Sequence, residues 1–266
     1  MSINDKDTQL AFQEITFDGR IETTDLVDVD NALVKVLAKL LDTLYVHNAN
    51  HKRNKRLHAF LSRPKPSDKV GMGEFDDPKD FVKALSSRIR SKKTAEGDRL
   101  KEQDGKVELP FVFVARDPSI RFDTDYNRSD VRKCADMRDD DGNFLAEVDM
   151  STFMLSYNVY LVGWHHHEVS QLATHFAMWL RIPTSERLFT YKSALYAEPV
   201  ELNAILVETN DVTFENASVP VEEGKLQSLT FSLTVSANVL QARYGTSVDQ
   251  RIEAEREHIN NEVPHE

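Results

Sequence analysis

The chain has 266 residues, of which 40% are hydrophobic and 29% charged, and a formal net charge of −11. That length buries a sizeable core in one large domain or two small ones, and the acidity opposes sequence-specific DNA binding while leaving room for a local basic patch. Only 9 glycines are present, below the usual ~7%, which argues against a glycine-rich phosphate-binding scaffold.

The first ten residues, MSINDKDTQL, are polar and lack the apolar stretch of a signal peptide. No apolar run approaches the ~20 residues that span a bilayer, so the expected setting is the cytoplasm. In ITFDGRIETT, Asp18-Gly19 sits between β-prone runs and predicts a short hairpin. DVDNALVKVLAKLLDTLYV follows. There Leu33, Val36, Leu37, Leu40, Leu41 and Leu44 recur at three- and four-residue steps, predicting an amphipathic helix with Asp28 or Asp30 as N-cap. HNANHKRNKRLH breaks that pattern and reads as a solvated loop. Its cations Lys52, Arg53, Lys55 and Arg56 are candidates for contact with an acidic partner surface. A second helix is predicted over Asp77–Arg90, with Pro78 at its first position and Phe81, Leu85 and Ile89 on one face. Residues 91–106 read as a polar linker.

LPFVFVAR (109–116) has the composition of a strand. The polar stretch from Asp117 to Asp149 is too long for a structureless connection and is expected to be functional or to hold elements of its own. Cys134 within it, the sole cysteine, allows no internal disulfide and no multi-cysteine zinc cluster. DMRDDDGNF suggests a calcium loop, but the register requires acids where Met137 and Val148 stand, so Asp141-Gly142 reads as a turn. MSTFMLSYNVYLV then reads as a strand, EVSQLATHFAMWL as a helix, and EPVELNAILVE as a strand. In LQSLTFSLTVSANVL, Leu229, Phe231, Leu233, Val235, Ala237 and Val239 alternate with polar residues, predicting a long strand with one buried face. The charged segment after residue 242 reads as an exposed helix or a tail.

GWHHHE (163–168) holds three histidines beside a carboxylate. On a helix, consecutive residues point in different directions. The zinc-protease pattern fails because residue 171 is Gln, and His175 lies about two turns beyond His167. The segment therefore reads as a strand-to-helix junction in which Glu168 favours the helix N-terminus. A metal-dependent enzyme built on residues 165–168 is the lesser alternative. No G-x-S-x-G, Walker A or G-x-G-x-x-G sequence occurs. No catalytic, metal or cofactor-binding residue is assigned, and the chain is not expected to be an enzyme.

The predicted class is α+β: a largely antiparallel sheet with a helix on one face, plus N-terminal helices. The expected divisions are 1–106 (hairpin, helices and linker), 107–242 (the α+β unit) and 243–266 (a charged tail). Over 107–242 the order of LPFVFVARDPSI, TFMLSYNVYLVGW, HEVSQLATHFAMWL, PVELNAILVE and LQSLTFSLTVSANVL resembles the tail terminator, or tail-completion, proteins of tailed bacteriophages. That resemblance implies a structural virion protein without cofactor, forming a ring, typically hexameric, on the end of a tail tube. Its implied partners are further copies of itself, the tube protein, and the sheath or head-connector neck proteins of a contractile tail. DNA passes through such a ring without specific binding. A neighbouring neck or baseplate role is the alternative. The first hundred residues have no counterpart in the resemblance.

Overall fold

A computed structural model describes residues 11–73, 80, 109–122, 130–139, 141–181, 187–207, 212–221 and 224–251. The helix expected over 77–90 and the linker 91–106 fall outside them, Asp80 apart. The fold is α+β, as expected. Its frame is a ten-stranded sheet in which β2 (Val70–Met72), β3 (Phe111–Phe122), β5 (Phe144–Gly163), β10 (Gly224–Arg251), β7 (Glu198–Leu206) and β6 (Leu188–Leu195) lie side by side in that order. β4 (Asp130–Arg138) also pairs with β5, while β1 (Ala11–Thr23), β8 (Glu215–Asn216) and β9 (Val219–Val221) pair with β10. Among the described residues only β2 runs parallel to its neighbour. No helix among the described residues is long and apolar enough to cross a membrane.

The pair β5 and β10 forms the spine, in unbroken antiparallel register from Gln227↔Gly163 to Tyr244↔Ala146. The expected alternation holds along its centre. Phe231, Leu233, Val235, Ala237 and Val239 are buried, Ser232 is exposed, and Leu229 is only half-buried. Helices α1 (Leu26–Asp42) and α3 (His166–Arg181) join one continuous core with this face. Phe176 of α3 packs on Phe231 at 5.5 Å between ring centroids. Leu57 and Phe60 of α2 (Lys55–Leu61) and Val112 and Val114 of β3 belong to the same core, so residues from both sides of position 106 build it together.

Several local expectations are corrected. Asp18-Gly19 does not turn a hairpin. β1 continues through it, with a register shift between Phe17 and Ile21 and Gly19 at φ +86°, because the positive-φ residue serves a bulge as readily as a turn. The N-cap of α1 is Asp25, whose Oδ1 accepts from the Val27 amide at 2.9 Å; Asp30 is buried one turn further along. The helix stops at Asp42, before Leu44 and Tyr45. The basic run is only partly loop, since Lys55 and Arg56 open α2, where the buried pair Leu57 and Phe60 follows the three-residue helical step. The stretch 117–149, as expected, holds elements of its own: β3 reaches Phe122, β4 occupies 130–138 and β5 starts at Phe144. The expected turn at Asp141-Gly142 is present. Asp139 Oδ1 accepts from the amides of Asp141 at 3.0 Å and Asn143 at 2.7 Å, and Gly142 takes φ +84°. Finally, β10 continues past residue 242 to Arg251, paired with β1, so the first part of the supposed tail is sheet.

Candidate interaction site

Three clusters of polar and charged side chains are candidate sites, two of them built on residues marked in the sequence. The first lies beneath α1. Tyr157 donates to Asp30 Oδ1 at 2.7 Å, and Arg116 Nη1 stands 3.4 Å from Asp30 Oδ2 without hydrogen-bond geometry. Burial raises the Asp30 carboxyl above its ordinary range, opposed by the Tyr157 hydroxyl and the Arg116 charge. Burial, reinforced by Asp30, likewise pushes the Tyr157 phenol up. Tyr157 is sealed from solvent, so this triad fixes how α1 sits on β5 and offers no surface to a substrate.

The second cluster is the histidine junction. β5 ends at Gly163 and α3 begins at His166, so His166 and His167 belong to the first helical turn and only Trp164 and His165 form the break. A Cβ on Gly163 would lie 2.9 Å from Val169 Cγ2, which is why the strand turns into the helix at a glycine. The imidazoles diverge. Arg56 Nη1 lies 2.9 Å from His165 Nε2. His166 Nε2 meets Ser170 Oγ at 3.2 Å and His167 Nε2 faces Asn54 Oδ1 at 3.4 Å. Glu168 is 1% exposed. Burial raises its carboxyl, while the charges of His165 and Arg56 and the backbone N–H of His165 act in the opposite direction. That backbone contact is one half of a capping box, with the third helical residue reaching back to the cap. Its Oε2 has no hydrogen-bond partner. Among the described residues no three His, Cys, Asp or Glu side chains are placed to share a metal ion.

The third cluster joins the second to the basic run. Lys52, Arg53, Lys55 and Arg56 are all exposed. Arg56 reaches His165, whereas the side chains of Lys52, Arg53 and Lys55 have no hydrogen bond or ion pair among the described residues. Beside them a groove of about 720 Å³ runs between the 44–54 connection and the outer face of α3. Tyr45, 82% exposed, and Met178, 56% exposed, both line it. His175 ties its walls together, since its Nε2 lies 3.2 Å from the Leu40 carbonyl at the end of α1. Asn54 spans its rim by donating to the His47 carbonyl at 2.8 Å.

Sequence reasoning selected the cations and missed the groove. Tyr45, Asn54, His175 and Met178 carry no motif, and more than a hundred residues separate the two walls. The one available signal was Tyr45, an aromatic just past the end of a regular apolar stripe. No protein-family model matches the chain, and no curated protein matches its sequence.

Proposed function

We propose that the chain is a structural assembly subunit that closes into a ring at the end of a tube, the role implied by the resemblance to phage tail terminator proteins. One observation supports this most. Beyond the helices, β4, β5, β10 and β1 extend as a four-stranded antiparallel arm in which β4 pairs only with β5, and β1 only with β10, among the described residues. Such edges are templates for pairing with another chain. The arm and its root also leave apolar side chains in solvent, with Ile21 at 61% and Phe122 at 64% exposure and Phe17 and Val131 beside them. Both edges thus combine unpaired main chain with exposed apolar side chains, the features of a surface that meets another chain. A head-to-tail contact between unlike surfaces generates a ring when its rotation closes. In this reading the chain acts in a virion tail or neck, assembled in the host cytoplasm, with a tube protein and a sheath or connector protein as neighbours. Light scattering after gel filtration, with electron microscopy of the same fractions, tests it. A closed ring, hexameric in the tail-terminator case, is expected alone or with the tube protein. A monomer under both conditions sinks the proposal.

A further inference from the structure

The groove beside α3 sits in an unusual electrostatic setting. From Thr43 to Ser67 the chain has no Asp or Glu, although 44 of its 266 residues are acidic, and the same stretch carries Lys52, Arg53, Lys55, Arg56, Arg63 and Lys65. The facing helix has one acidic residue, Glu168, and that one is buried. Lys55 and Arg56 stand in the first turn of α2, which has no acidic residue. Cations there oppose the helix dipole, so the stability of α2 does not account for them. The groove is lined by Asn54, which stands between Arg53 and Lys55 in the chain, and has two exposed apolar side chains, Tyr45 and Met178.

We infer that this groove docks a short acidic segment of a protein partner. An aromatic or aliphatic side chain of that segment packs against Tyr45 and Met178, and its carboxylates meet Lys52, Arg53 and Lys55. Charge complementarity selects the class. A short segment feels the field within a screening length, ~10 Å at 0.1 M salt, where the cations dominate. A long nucleic acid feels the whole chain, whose net charge is −11, and is repelled. The site needs only one copy of the chain, so it stands or falls separately from ring formation.

Fluorescence anisotropy on the full chain tests the inference, with three labelled probes: an oligo-glutamate peptide carrying one tryptophan, the same peptide without it, and an oligothymidylate of equal length. The tryptophan peptide is expected to bind best. Its affinity is expected to fall by more than about tenfold in Lys52→Glu/Arg53→Glu/Lys55→Glu, and again on raising salt from about 0.1 M to about 1 M. Tyr45→Ser/Met178→Ser is expected to reduce it to the level of the peptide lacking tryptophan. The probe and salt comparisons use the unaltered chain, so they remain decisive if a variant folds poorly. No peptide binding, affinity unchanged by the charge reversals, or equal or tighter binding of the oligothymidylate would overturn the inference.

Discussion

The helix-covered body and the projecting arm share two strands, β5 and β10, yet they are held together differently. In the body the inward face of those strands meets α1 and α3, and Leu155, Tyr157, Val159, Leu161 and Val235 are sealed from water. In the arm no helix covers that face. Arg243 bridges Glu147 at 2.5 Å and Asp149 at 3.1 Å, with Lys133 3.8 Å from Glu147, and Arg243 lies over the Phe17 ring at 4.9 Å. Burial stabilises the body with little regard to geometry. The arm has only a small buried cluster, Ala146, Val148, Ala242 and Tyr244 with Leu195 of β6, and depends otherwise on main-chain pairing and part-exposed ion pairs, which contribute modestly and respond to salt. One strand can thus belong to a rigid unit at one end and to an adaptable one at the other.

The comparison breaks most visibly at Phe231. Phe231→Asp places an unpaired charge between the rings of Phe176 and Phe214 and is expected to cost at least about 4 kcal/mol. Ser232→Asp, on the exposed side of the same strand, is expected to cost under about 1 kcal/mol; it loses the bond from Ser232 Oγ to Asn158 Oδ1. Urea denaturation followed by circular dichroism measures both, and equal effects would refute the assignment of faces. Next comes Gly245, where a Cβ would sit 2.6 Å from the Thr16 carbonyl oxygen. Gly245→Val is expected to cost about 1–3 kcal/mol and to act locally. Hydrogen exchange should quicken in β1 while the amides of Phe231 to Val235 keep their protection. A uniform loss would mean that arm and body unfold as one unit. Arg243→Met is expected to cost about 1 kcal/mol, an effect that shrinks at high salt.

The subtlest contrast is in pH. Asp30 and Glu168, in the body, have carboxyls raised chiefly by burial. A raised carboxyl holds its proton more tightly when folded. Its stabilising share is full below the ordinary value of ~4 and is lost as pH rises through the raised value. Asp139, in the arm, is lowered, first by hydrogen bonds from Asn143. Its share is present above the ordinary value and is lost as pH falls through the lowered one. Acid should therefore loosen the arm's turn while the body holds. The amide resonances of Asp141 and Asn143 should shift with acid before those of β10's centre. The double variant Asp30→Asn/Glu168→Gln should flatten the decline in unfolding midpoint between about pH 4 and about pH 8. An unchanged slope would show that these two carboxyls do not control it.

The body was legible in the sequence because burial on one face imposes a period. Leu33, Leu37 and Leu41 mark a helix, and Phe231 to Val239 mark a strand, without knowledge of the partner element. Even there β6 went unread, although Phe189, Tyr191, Ser193 and Leu195 alternate with exposed neighbours. The arm was not legible. Along β4 the residues from Val131 to Asp136 are all exposed, so no period survives and charge takes its place. Beyond residue 242 the glycine at 245 and the mostly polar residues after it hid the continuation of β10. At the candidate site, the cations were visible because they adjoin in sequence. The groove was not, because it exists only where the chain between α1 and α2 meets α3; His167 and Asn54, which face each other there, stand 113 positions apart.

The 28 residues of β10, at ~3.3 Å each, give a contour of roughly 90 Å along which the strand passes from the body into the arm without a break. A pull on the arm along that direction loads the β5 ladder in shear, with many hydrogen bonds strained together, whereas a pull across it would open them one pair at a time. The strand therefore works as a tie-rod, and the direction of a load decides whether arm and body part.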